Sequence, residues 1–506
     1  GGMVDNPDRG DSYVPTTSAA RYLPRIGHHV YNGSAWVNEG VLAESESRVN
    51  LILNSSDFSV GSWTTSGASI SAATNITAPD GTTNSFKLIE DSSGSAHRVQ
   101  GAQAVGGTTS TMSCFMKKAE RSWGNINFAG FSNGQAWFDL ENGVLGTVQS
   151  AVTARIEDYG NGWYRCSITG TPTSSATTDI KVANADDAIS YTGDGTSGIY
   201  VFGAQTEAGP TPSSYIPTSG QQETREAESF TIPSANLPWP TPQYIGDELV
   251  DNGDFSTDSD WTKASGASIT DGQLVLNTGQ FAPTYQTITT TTAGGLYRVT
   301  ADLVSIGSGT WQVDIRNGTS SGTSIVNVNR TTAGAFDFLF VAESSTTSIL
   351  VKSISTGASA VFDNISIREI NPLSVSIGME GRMTYADEGG NTASFLRWRE
   401  DSDNYINHLL YTTGSETGEI NIFQRALGTT TQTTSASQYQ PDILVPYNIA
   451  SRHGSTFLNL AKEGEESTVV TTPTALPDLS STDLNLAFDY MGTISEFRVW
   501  DKDLGD

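Results

Sequence analysis

Short runs in which apolar and polar side chains alternate dominate the chain. In SVSIGM at 374–379 and EFRVW at 496–500 the apolar residues recur at every second position, the period of a strand with one face buried and one solvated. Clusters of Gly, Asn and Thr separate such runs, and stretches with apolar residues three and four apart are scarce. The pattern predicts an all-β chain of antiparallel sheets. Strands near Phe86, Phe115, Ile126, Trp137, Val152, Trp163, Ile180 and Tyr200 suffice for one two-sheet sandwich. Strands near Val275, Tyr285, Tyr297, Trp311, Val326, Phe338, Ile349 and Val361 suffice for another.

These two stretches also repeat one another. Residues 53–70 read LNSSDFSVGSWTTSGASI and residues 250–269 read VDNGDFSTDSDWTKASGASI, so Asp57-Phe58-Ser59, Trp63-Thr64 and Gly67 to Ile70 return as Asp254-Phe255-Ser256, Trp261-Thr262 and Gly266 to Ile269. Val201-Phe202-Gly203-Ala204 closes the first copy and Val361-Phe362-Asp363-Asn364 the second. Matching openings and closings predict a duplicated module, with Phe58 and Phe255 in equivalent core positions. A doubled site raises the effective concentration of binding to a repetitive ligand, which points to binding before catalysis.

The expected organisation follows. Residues 1–50 form an N-terminal attachment segment, with a tight hairpin at Asn32-Gly33. The first module spans 51–218 and the second 247–371. Between them, 219–246 reads as a proline-rich linker whose charged half could make one helical turn and whose proline-dense half is stiff. Residues 372–506 form a third unit of meandering strands that stops at Asp506 directly after a strand, as part of a longer protein would.

With 506 residues the chain is too long for one core, and about three to five domains are expected. The formal charge is 27 minus 55, or −28, spread along the whole length. Such a surface repels phosphate backbones and anionic headgroups, so no nucleic-acid partner is expected. No apolar stretch approaches the roughly 18 to 20 residues of a span, which argues against membrane insertion, and residues 1–30 lack the apolar core of a signal peptide. Of the two cysteines, Cys114 shares a strand face with Met112 and Met116, and Cys166 with Tyr164 and Ile168. Buried free thiols are expected, with a cross-strand disulfide as the alternative.

Candidate chemistry is sparse. His28, His29, His97, His408 and His453 sit in no metal-ligand spacing, HExxH pattern or nucleophile elbow. No acid lies in a recognisable frame for glycoside hydrolysis, and no catalytic residue is assigned. Sugar recognition uses an aromatic face against the apolar side of a pyranose. Trp123 and Trp137 in the first module, Tyr285 and Trp311 in the second, and Trp398 and Tyr405 in the third unit are the candidates. Against each stands the alternative that an aromatic in an alternating strand is core. Trp163 is expected to pack, and Trp239 to staple modules together.

The opening NGDFS (252–256) with Trp261, and the closing AVFDNISIREI (360–370), resemble the carbohydrate-binding-module type of galactose-binding-like jelly roll. GTISEFRVWDKDLGD (492–506) and TFLNLAKEGE (456–465) resemble the concanavalin A-like, laminin-G-like sandwich. ARYLPRIGHHVYNGSAWVNEG, LAESESRVNLILNSS, GNGWYRCSI and SSYIPTSG resemble virion surface proteins of tailed phages and prophages. The resemblances imply two related jelly rolls plus a concanavalin A-like sandwich, in a non-catalytic tail fibre or head spike. Its partners would be host surface polysaccharide and, through the N-terminal segment, other virion proteins, with a homo-oligomer as an open alternative. Jelly rolls of this type often pin their first and last strands with structural Ca2+, and Asn252, Asp254 and Asp363 fall where its ligands would come from. In the first module Gly203 replaces Asp363. Two alternatives stand beside adhesion: a polysaccharide-degrading enzyme or its binding fragment, and a structural virion spacer.

Overall fold

The computed structural model describes residues 25–172, 176–277, 282–355, 359–386, 391–440 and 445–505. These residues contain no α-helix, and the strand pairs are antiparallel. The chain is a set of tandem antiparallel β-sandwiches, as the alternating pattern predicts.

The two repeats share a strand order. In the first, one sheet runs Val152–Asp158, Trp163–Gly170, Ser110–Lys118, Gly198–Ala208, Phe86–Glu90, Ala68–Ala72. In the second, Gly334–Val341, Leu296–Ser308, Ser359–Ile370, Gln273–Leu276, Ala267–Thr270 follow the same path, one strand shorter. The facing sheet of the first sandwich carries Val144–Val148, Gln135–Asp139, Trp123–Ala129, Ala176–Ala183 and Gly94–Val105. That of the second carries Ser324–Arg330, Trp311–Asn317, Thr347–Ser353 and Thr284–Ile288. Each sandwich buries its inward residues in its own core, Phe58 among those of the first and Phe255 of the second. The duplicated opening is a working unit. Phe58 packs on Trp63 with ring centroids 4.7 Å apart, and Phe255 on Trp261 at 5.4 Å. The Trp63 indole donates to the Asn54 carbonyl at 2.8 Å, and Trp261 to that of Asn252 at 3.2 Å, each nine residues upstream.

The third sandwich recruits strands from far upstream. One of its sheets runs Arg25–Tyr31, Trp36–Glu44, Tyr490–Trp500, Ser374–Ala386, Pro446–Gly454, Leu458–Lys462, Glu465–Glu466. The other begins with Phe230–Ile232 and continues through Leu484–Phe488, Thr392–Arg399, Tyr405–Tyr411, Ile420–Ala426 and Thr429–Thr434. One expectation, the free linker, is corrected here. The described part of the N-terminal segment is a hairpin whose second strand pairs with the closing strand of the third sandwich, Val41 opposite Ile494. The linker is no free spacer. Its charged half forms the strand Glu223–Arg225 against Arg48–Asn50 in place of a helical turn, and its next stretch, Phe230–Ile232, joins the third sandwich.

Buried ion pairs explain the docking. Arg25 binds Glu44 at 2.6 Å and also pairs with Glu228, Arg225 lies 3.2 Å from Glu44, and Ser214 donates to Glu44 through both its amide, at 2.8 Å, and its hydroxyl, at 2.6 Å. Burial works against the charge of Glu44, but Arg225, Arg25 and the Ser214 hydroxyl and amide outweigh it and hold the carboxyl well below the usual carboxylate range. A charged linker half with a buried Arg225 cannot be a solvated spacer. Trp239 packs edge-on against Trp398 at 5.0 Å and so staples the linker to the third core.

Candidate functional site: the outward faces of the facing sheets

Alternation fixes which side chains of the facing sheets turn away from the core. In the first sandwich Ile126, Phe128, Ala136, Phe138, Ile180 and Val182 are core, so Asn125, Asn127, Gln135, Trp137, Asp179 and Lys181 lie on the opposite face. These polar residues are nevertheless sunk. Asn125 and Asp179 are 0% exposed and Lys181 is 4% exposed. Asp179 accepts from Gln100 at 2.7 Å and from Arg98 at 3.2 Å, and the Lys181 ammonium donates to Gln135 at 3.2 Å. Burial, with Arg98 adding to it and Asp179 opposing, pushes Lys181 down to about 8. Among the described residues the Trp137 indole N–H and the Asn125 side-chain oxygen, both buried, have no hydrogen-bond partner.

The second sandwich repeats the design at the same register. Lys352 stands opposite Gln312 across the strand pair, as Lys181 stands opposite Asn125. Asp314 accepts from Ser324 at 2.6 Å and from Arg316 and Lys352 at 2.9 Å each. Burial opposes its charge, but those three bonds hold the carboxylate below its ordinary range. Gln312 donates to Asn327 and Asn329 at 3.0 and 2.9 Å. Tyr285, half-buried, lies on this face opposite Leu350. Each face thus gathers carboxylate, amide and ammonium groups near an aromatic ring, most of them buried, and hydroxyl-rich chains are held by groups of these kinds.

The aromatic candidates divide. Trp123 and Trp137 share the outward face of the first sandwich, Trp123 half-buried over Gly146 and Trp137 only 1% exposed. Trp311 and Trp398 are corrected to core residues. Both are fully buried, with their indoles donating to the Ser308 and Thr482 carbonyls. Tyr405 is half-exposed on the third sandwich, flanked by the Arg399 and Arg425 guanidinium groups at 5.4 and 6.0 Å from its ring. Trp163 packs, donating to the Thr77 carbonyl at 2.8 Å.

Sequence reading missed the polar row itself. Its signal lay in ATTDIKVA, where Asp179 and Lys181 alternate with Ile180 and Val182, and in WQVDIRN, where Gln312, Asp314 and Arg316 alternate with Val313 and Ile315.

The residues named for calcium, Asn252, Asp254 and Asp363, are engaged in local hydrogen bonds. The Asn252 amide donates to the Thr257 and Ser259 carbonyls and accepts from the Thr257 N–H, closing its own loop. Asp254 accepts from the Ser256 N–H and Asp363 from the Asn364 N–H. Among the described residues no three His, Cys, Asp or Glu side chains gather as a metal site. Cys114 and Cys166 are buried free thiols directly opposite one another.

No protein-family model matches the chain, and no curated protein matches it in sequence. Solved structures resemble it in part. A CBM4 structure is 15% identical and covers 24% of this chain and 99% of its own, at a TM-score of 0.21. The CBM22-1-CBM22-2 tandem domain from Paenibacillus barcinonensis Xyn10C is 10% identical over 65% of this chain and 98% of its own, at 0.20. Domains LG4-5 of the mouse laminin alpha1 chain are 10% identical over 52% and 91%, at 0.19. At such scores the likenesses carry no argument about function.

Proposed function

We propose that the chain is a glycan-binding protein that grips host surface polysaccharide with the outward faces of its two facing sheets. The observation that carries this reading is the repeated row of sunk polar groups, with Lys181 opposite Asn125 and Lys352 opposite Gln312 at the same place in two copies of one sandwich. In each copy the lysine has a partner on that face, Lys181 with Gln135 and Lys352 with Asp314, so the charged arrangement is repeated together with the module. Two sites on one chain suit a repetitive ligand, because the second binds at high effective concentration.

The finer reading is an adhesin on a phage-type virion, a tail fibre or head spike at the particle surface, that binds without cleaving and contacts other virion proteins. Its support is the resemblance of 20–40, 42–56, 160–168 and 213–220 to virion surface proteins. Surface plasmon resonance against purified capsule and lipopolysaccharide tests the binding, with expected single-site affinities of about 10 µM to 1 mM and much firmer retention of clustered protein. Absence of binding in both formats, or shortening of the polysaccharide during the run, overturns it. Immunogold labelling of particles tests the virion position.

A further inference from the structure

A cavity of about 410 Å3 opens where the N-terminal hairpin, the first sandwich and the third sandwich meet. It is separate from both facing sheets, and its size falls in the range of ligand pockets, about 300 to 1,000 Å3. Three aromatic rings form one wall. Tyr31 and Trp36 stand opposite each other across the hairpin with centroids 5.5 Å apart, and Trp36 meets Tyr159 of the first sandwich at 6.2 Å. All three are half-exposed, and Tyr31 and Trp36 lie over Gly160, within van der Waals reach of a Cβ at that position.

The charged lining is close to balanced. Glu39 pairs with Arg382 of the third sandwich at 3.2 Å, and Glu157 stands opposite Arg165 in the neighbouring strand. Glu44, at the back, is neutralised by Arg25 and Arg225, which lie outside the cavity. Arg165 is 4% exposed, donates to Ser113 at 3.1 Å, and among the described residues its Nε has no partner. Carboxylates that accept and guanidinium groups that donate, without a net field, suit vicinal hydroxyls, which do both. Exposed aromatic faces suit the C–H side of a sugar ring.

We propose that this cavity is a pocket for a neutral saccharide of one or two rings, held against Trp36 and hydrogen-bonded by Glu39, Glu157 and Arg165. It rests on the glycan-binding reading only for choosing a sugar over another small polyhydroxyl ligand. The open sheet faces suit stretches along a polysaccharide, whereas an enclosed pocket between units suits a chain end or a side branch.

The test uses the full chain and methyl glycosides of glucose, galactose, mannose and N-acetylglucosamine, with methyl glucuronide as the charged comparison, followed by calorimetry and saturation-transfer NMR. One neutral glycoside should bind one-to-one and saturably. Trp36→Ala and, independently, Arg165→Lys should each weaken it at least tenfold, while Glu141→Gln, outside the cavity and both polar rows, leaves it unchanged. Trp36 is half-exposed, so an unchanged thermal melt of Trp36→Ala certifies the comparison, and Tyr31→Ala replaces it should the melt shift. No saturable glycoside, unchanged affinity in the aromatic variant, or preference for the glucuronide overturns the proposal. If the unaltered chain binds the glycoside but no polysaccharide, the sheet-face reading fails and the pocket stands.

Discussion

His408 and His453 meet Nε2 to Nε2 at 3.2 Å in the interior of the third sandwich, with their rings within 14° of parallel and the Ser451 hydroxyl 3.0 Å from His408 Nε2. One ring nitrogen must carry the shared proton and the other accept it, so the contact holds with both rings neutral and tolerates no second proton between the two nitrogens. Burial pushes His408 down to about 3, and burial together with His408 pushes His453 well below its ordinary value.

Stability should therefore fall as pH falls. The unfolded chain protonates both rings near 6.5 and the folded chain does not until far lower, so the unfolded state binds more protons throughout that interval. Each ring should cost up to about 1.4 kcal/mol per pH unit below about 6.5. Denaturant melts at pH 7, 5.5 and 4.5 should show this slope, and the double variant His408→Gln, His453→Gln should flatten it. Equal slopes in both proteins would remove the pair as the cause.

Phe58→Ala and Phe255→Ala should each cost about 3 to 5 kcal/mol, because both rings are at most 2% exposed and pack on the repeated tryptophan. A loss below about 1 kcal/mol in denaturant melts would show that the opening segment is not part of either core.

The two thiols should be silent in the native protein. Burial pushes Cys114 up to about 12, and burial with the neighbouring Cys114 raises Cys166 well above its usual range, so neither forms the reactive thiolate near neutral pH. Ellman's reagent should count no thiols in the native chain and two in denaturant. Zero in denaturant would mean a disulfide.

Glu44→Gln should cost about 3 to 5 kcal/mol, since it leaves Arg25 and Arg225 buried beside one carboxylate fewer. The loss should exceed that of Glu141→Gln, whose exposed pair with Lys118 is worth at most about 1 kcal/mol. Similar melts for the two variants would show that the buried network does not hold the N-terminal hairpin in place.

The sheets were legible because alternation is a local signal, and the repeat was legible because DFS, WT and GASI return at similar spacing. The same parity separates the tryptophans: Trp311 falls in step with Val313 and Ile315 and is core, whereas Trp137 falls between Ala136 and Phe138 and faces outward. What stayed hidden was partnership. The hairpin at Asn32-Gly33 could be read from its turn residues, but its acceptor strand lies at Tyr490–Trp500, and periodicity tells which face is buried without telling which edge is paired. The third sandwich's claim on Phe230–Ile232, and the cavity that the hairpin closes, follow from those long-range pairings and carry no local mark.

The two facing sheets should fail separately and then together. Lys352→Ala removes an ammonium from the Asp314 cluster, and Lys181→Ala removes its counterpart in the first sandwich. A hydrogen bond to a charged group contributes about 1.5 to 3 kcal/mol, so each variant should weaken polysaccharide binding roughly tenfold or more, and the pair should abolish retention on a polysaccharide surface. The Lys352→Ala chain, left with the first sandwich, supplies a sharper test. Lys181 sits at about 8, so it loses its charge between pH 7 and 9, and the remaining affinity should drop across that interval. Binding by the double variant equal to that of the unaltered chain would take the site away from these faces altogether. A flat pH profile in Lys352→Ala would show that the Lys181 charge is not what the ligand meets.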